Sequence, residues 1–112
     1  MKIKNFAFLL AGFFSFAPAY ATGEVVVNCS PYGPAGQVVP GWAIIRMQSD
    51  LACGSWGRFT WQNLNGYPRG MRVAVCDVGN LPNWWPVEYR SNIGGPCRGG
   101  GSYYYIVEYR GN

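Results

Sequence analysis

The sequence has no histidine among its 112 residues, and its only lysines, Lys2 and Lys4, stand at the extreme start. Beyond residue 21 there is therefore no imidazole base, no amine for a Schiff base and no nitrogen ligand for a metal, which excludes Ser-His-Asp and Cys-His chemistry. The carboxylates Glu24, Asp50, Asp77, Glu88 and Glu108 leave only a glycosidase-type acid pair to consider. Asp50 and Glu88 occupy different stations of the internal repeat described below, so duplication offers no preformed pair, and the chain is read as non-enzymatic. Zinc ribbons hold their metal on closely spaced cysteine pairs, whereas the four cysteines here lie far apart, so neither metal nor cofactor is expected. Charge is scarce too, at 12% of residues and a formal net of +4. Without Lys2 and Lys4, seven arginines face five acids and the net falls to +2, too little for a nucleic-acid partner.

What is present begins with a leader. Lys2 and Lys4 form a basic n-region, Phe6 to Phe16 an apolar run, and Pro18-Ala19-Tyr20-Ala21 a small-residue cleavage signal. Cleavage after Ala21 is predicted, with the mature chain residing in the periplasm or outside the cell. The apolar run falls short of the roughly 18 to 20 residues of a transmembrane helix, and no later segment is apolar enough to span a bilayer, so no stable membrane insertion is expected after the leader is removed. About 90 residues remain, one β domain over 22–112 whose small core gains from covalent constraint. Cys29, Cys53, Cys76 and Cys97, an even number in an exported chain, predict two disulfides.

Fifteen of the 16 glycines follow the leader, scattered between short apolar runs, and no stretch keeps a 3.6-residue period. Strands are predicted over 24–29, 42–48, 58–62, 71–76, 84–90 and 102–110. In the second of these, Trp42, Ile44 and Arg46 share one face and Ala43, Ile45 and Met47 the other. Pro86 removes a ladder donor from the fifth, which places that strand at an edge or gives it a bulge.

The strands fall into two similar sets. Pro40-Gly41-Trp42, leading into the second strand, returns as Pro82-Asn83-Trp84 at the fifth, and each copy lies between two cysteines. Counted from the second cysteine of each half, Gly57, Phe59 and Trp61 fall on Gly101, Tyr103 and Tyr105. The units run over about 24–64 and 71–110, joined through Asn65-Gly66, a dipeptide suited to a tight turn. The fold expected is all-β, a small disulfide-stabilised sandwich or partly open barrel of about six strands from two pseudo-repeated three-stranded units. A meander would pair Cys29 with Cys97 and Cys53 with Cys76. Self-contained units, in which the first strand crosses over or the second folds back, would pair Cys29 with Cys53 and Cys76 with Cys97. The arrangement resembles small exported bacterial proteins built from Cys, then Pro-x-Gly-Trp and a β-branched run, then Cys. Here Pro40-Gly41-Trp42 lacks the spacer and Pro82-Asn83-Trp84 has Asn for Gly. The resemblance spans most of residues 25 to 110 and implies no activity or site.

Aromatic residues are more numerous than so small a core can hold. Trp42 and Trp84 stand at equivalent stations and are expected in the core. Trp85 answers to Ala43 and Trp56 to Gly100, neither able to do a tryptophan's packing, so both should lie outward. Trp56, Trp85 and Tyr104 are therefore the candidate binding residues, for a glycan or cell-surface polymer, or else for another protein as an effector or inhibitor; a structural extracellular component is the third reading. Coplanar rings in a shallow groove would favour a glycan, and an apolar patch a protein.

Overall fold

The turn-punctuated runs become six strands: β1 (Val25–Asn28), β2 (Trp42–Gln48), β3 (Arg58–Asn63), β4 (Arg72–Val75), β5 (Trp84–Ser91) and β6 (Tyr103–Tyr109). They belong to a computed structural model that describes residues 21–111; the leader expected over Met1 to Ala21 lies, apart from Ala21, outside the described residues. A six-residue 3-10 segment, Leu51–Trp56, which periodicity did not signal, follows β2.

The strands form two antiparallel sheets of three, ordered β1-β3-β2 and β4-β6-β5. In the first, β1 and β2 both run antiparallel to the central β3 and hence parallel to each other. Parallel strands finish at the same end of a sheet, so Cys29, just past β1, comes beside Cys53, just past β2. The bonds formed are Cys29–Cys53 and Cys76–Cys97. The meander and its pairing are thereby excluded. With sequence separations of 24 and 21 residues, each bridge stabilises the fold by about 3 kcal/mol if chain entropy dominates.

The halves correspond in detail. In β2 the ladder to β3 skips Ile45, and in β5 the ladder to β6 skips Val87, the same station one copy on. Each is a bulge, and a bulge reverses which face the following residues occupy. Simple alternation therefore fails beyond Ile45: Met47 lies opposite Phe59 and Arg46 opposite Thr60, so Met47 joins the face of Ile44 and Arg46 leaves it. Pro86 sits beside its bulge and on an edge strand, meeting both conditions for a proline in a sheet. The count from the second cysteine needs correction. Phe59 pairs with Asn28 and Met47 as Tyr105 pairs with Val75 and Tyr89. Phe59 thus answers to Tyr105 and Trp61 to Val107, because the second half carries two more residues between its second cysteine and the equivalent position of its central strand.

The Pro-Gly-Trp and Pro-Asn-Trp stretches do the same job. Trp42 N–H donates to Val39 O at 3.3 Å and Trp84 N–H to Leu81 O at 3.2 Å, with φ of +85° at Gly41 and +68° at Asn83. Both are turns with proline second and a left-handed residue third, where Gly is best and Asn is the side chain that best tolerates the conformation. The Asn that departs from the motif therefore preserves the turn.

Two apolar clusters result. Ala43 and Leu64, with Ile45 packed against them, meet Val75, Leu81, Trp84 and Val107, so one face of the first sheet covers one face of the second. The opposite face of the first sheet carries Trp42, Phe59 and Trp61, with Ile44 and Met47 partly buried beside them. That second face meets no sheet. Its cover is the chain between β1 and β2, through Val39, while backbone of the second half pairs along the strand's side: Cys76 N–H donates to Ile44 O at 2.7 Å, Met47 N–H to Pro96 O at 2.9 Å and Arg98 N–H to Met47 O at 3.2 Å. The open edge of β2 is thus occupied by the segments that carry the second disulfide.

Candidate functional site

The face of the first sheet that no sheet covers carries an open cleft. Its larger hollow, about 420 Å3, is lined by Ile44, Met47, Phe59, Trp56, Asp77 and Gly100. A smaller one of about 260 Å3 continues past Pro31, Ile44 and Asp77 to Tyr32, Trp42 and Asn80. The disulfides place the walls. Tyr32 and Trp56 each stand three residues after a cysteine of the first bond, and Gly79 and Gly100 three after those of the second. All four line the cleft or its continuation.

Local chemistry fixes each wall. Asn28 Nδ2 donates to Gly33 O and Pro34 O, both at 3.0 Å, while its Oδ1 accepts from Ser30 N–H and from the Trp61 indole N–H, both at 3.1 Å. The indole also donates to Ser30 O at 3.2 Å. A buried tryptophan and one asparagine thus hold the loop bearing Pro31 and Tyr32 down on the sheet. On the other side of the first bond, Asp50 caps the 3-10 segment by accepting Ala52 N–H at 2.8 Å and pairs with Arg58. The Ala52 amide first, and then Arg58, hold the Asp50 carboxyl below its ordinary pKa. This segment ends on Trp56, whose ring centre lies 5.9 Å from that of Tyr32 at a tilt of 58°. The second half's wall is folded by Asn92, which donates to Cys97 O at 2.6 Å and accepts from Cys97 N–H at 3.1 Å. Gly100 packs so close that a Cβ there would meet Cys97 O at 3.0 Å and Met47 Sδ at 3.4 Å.

The tryptophans divide by burial: Trp42 and Trp84 are 3% and 8% exposed, Trp56 and Trp85 58% and 57%. The three candidate binding residues are not brought together. Trp56 stands on the cleft. Trp85 and the half-buried Tyr104 lie on the outer face of the second sheet, opposite Glu108 and Arg90 respectively, about 13 Å apart along β6. That face is laced with ion pairs, Arg72–Glu108 at 2.8 Å, Arg110–Glu108 at 3.1 Å and Arg90–Glu88 at 2.7 Å. Arg72 lowers the pKa of Glu108 and Arg90 that of Glu88, in each case chiefly by hydrogen bonding. Glu88, and after it Tyr104, raise that of Arg90.

Sequence reasoning passed over Tyr32 and Met47 as site residues and weighed Asp77 only as a member of an acid pair. The signal for Tyr32 was the spacing after a cysteine that it shares with Trp56, legible only once Cys29 is known to bond Cys53. It also passed over an exposed tyrosine cluster on β5 and β6, where Tyr89 packs 5.5 Å from Tyr105 and 6.3 Å from Tyr103. No group of three or more His, Cys, Asp or Glu among the described residues is placed to hold a metal, and no helix among them is long and apolar enough to cross a membrane. The site and fold together define a disulfide-bonded all-β domain with an apolar, aromatic-walled cleft. Comparison with models of known protein families, with curated proteins and with solved structures finds no match.

Proposed function

We propose that this chain is an exported, non-enzymatic binding protein, working in the periplasm or outside the cell after loss of Met1 to Ala21, and that its ligand is a segment of another protein held in the cleft beside Trp56. The observation that carries the reading is the cleft's make-up: an apolar floor of Ile44, Met47 and Phe59 under two rings tilted by 58°. Sugars stack best on flat, coplanar platforms, whereas an apolar hollow with tilted rings suits a side chain. The two disulfides fit an oxidising compartment.

A glycan or cell-surface polymer is the second reading, favoured by the outer face of the second sheet, where the exposed Trp85 stands among paired arginines and glutamates. Peptide and glycan arrays probed with the wild type, Trp56→Ala and Trp85→Ala separate the two. Peptide signals should fall about ten-fold or more in Trp56→Ala and stay unchanged in Trp85→Ala. Glycan signals lost in Trp85→Ala alone would replace the first reading by the second.

A further inference from the structure

We infer that the cleft is built for a basic side chain, arginine ahead of lysine, presented by a segment of the partner; this rests on the protein-binding reading of the cleft. Among the residues that line its two connected hollows, Asp77 is the only charged one. One of its carboxylate oxygens accepts Gly79 N–H at 3.2 Å, which leaves the other for a ligand. Asp50, Glu88 and Glu108 each hold an arginine, and among the described residues Asp77 enters no ion pair. Asp77 is exposed at the mouth of the cleft, so the attraction it offers a cation there is a charge-assisted hydrogen bond rather than the strengthened field of a buried carboxylate.

The walls fit the rest of such a side chain. Trp56 and Tyr32 supply aromatic rings on which a cation can rest, and Ile44, Met47 and Pro31 supply apolar surface for a methylene stem. A guanidinium is flat, weakly hydrated and able to stack on a ring while donating to a carboxylate, and an ammonium does this less well. Arg98 lines a neighbouring hollow that shares Met47, Ser55, Trp56 and Gly99 with the cleft but not Asp77.

The test uses the mature, disulfide-intact protein labelled with 15N. The probes are acetylated, amidated tripeptides Gly-X-Gly in which X is arginine, lysine or norleucine, with a chitin oligosaccharide as the sugar probe. The readout is the shift of the Trp56 indole N–H and the Gly99 and Gly100 amides. The arginine peptide should move these signals, and norleucine, which keeps the apolar stem without the charge, should bind about ten-fold more weakly or worse. Asp77→Asn should weaken the arginine peptide by a similar factor, and its amide oxygen can still accept Gly79 N–H, so the turn survives. Trp56→Ala should abolish the preference for arginine over lysine. Equal binding of norleucine and arginine at the cleft, or an unaffected Asp77→Asn, overturns the inference and leaves the protein-binding reading standing. Cleft shifts with the oligosaccharide alone overturn both. Shifts confined to Trp85 and Tyr104, or cleft signals that no probe moves, overturn the cleft as the site.

Discussion

Asn28 makes more hydrogen bonds to the near wall of the cleft than Ser30, whose Oγ accepts Tyr32 N–H at 3.1 Å, and its removal has a magnitude that follows from its contacts. It makes four hydrogen bonds, two as donor to Gly33 O and Pro34 O and two as acceptor from Ser30 N–H and the Trp61 indole. A typical intramolecular hydrogen bond contributes about 1 kcal/mol net, and four would give about 4. Asn28 is only half-buried, so water replaces part of the loss on the loop side. Trp61 is 7% exposed and keeps one bond, to Ser30 O. Asn28→Ala should therefore cost about 2 to 3 kcal/mol, and Asn28→Asp, which keeps both acceptor bonds but turns an anionic oxygen toward Gly33 O and Pro34 O, should cost no less. Urea unfolding followed by tryptophan fluorescence, with the disulfides intact, gives both values. The loosened loop should also weaken ligand binding in the cleft while leaving the outer face of the second sheet untouched. A cost for Asn28→Ala below about 0.5 kcal/mol, the level of an ordinary surface substitution, would refute the claim that this residue pins the loop.

Further expectations are open to the same unfolding assay. Trp42→Ala should cost about 3 to 5 kcal/mol as a large-to-small change in the core, and Trp85→Ala at most about 0.5 kcal/mol. Gly41→Ala should cost more than about 1 to 2 kcal/mol, because it forces a Cβ into the left-handed region and against the Asn65 side chain. Asn83→Ala, at the same station without that obstruction, should cost less; equal and negligible costs would show that the two turns do not direct the strands they precede. Asp50, Glu88 and Glu108 have folded-state pKa values below their ordinary ones, so the stability they add is present above about pH 4 and is lost as the pH falls further through the depressed values. All three are at the surface, so the acid-induced loss should shrink in 1 M salt; unfolding curves at pH 6 and pH 3, with and without salt, measure it.

Much of the architecture is decided by local properties that the sequence carries openly. Alternation and turn residues mark the six strands, because a strand's two faces and a turn's backbone angles impose residue types position by position. Trp42 and Trp84 were legible as buried for a related reason: each follows a turn whose third residue must be left-handed, and the same turn delivers the same ring to the same depth. Three things depended on tertiary structure. The cysteine pairing rests on β3 inserting between β1 and β2, a non-local choice on which adjacent residues are silent. The faces of Arg46 and Met47 were reversed by a bulge, which is one residue of ladder slippage against a partner strand. The cleft is the most tertiary of all. Tyr32 and Trp56 meet only because Cys29 bonds Cys53, and Asp77 joins them only because the second half's disulfide segments lie along the edge of β2. Exposure was readable from the misfit of a tryptophan to a glycine or alanine station. Convergence was not, since it is set by strand order and by the packing of one half against the other, and neither leaves a mark on the residues that end up side by side.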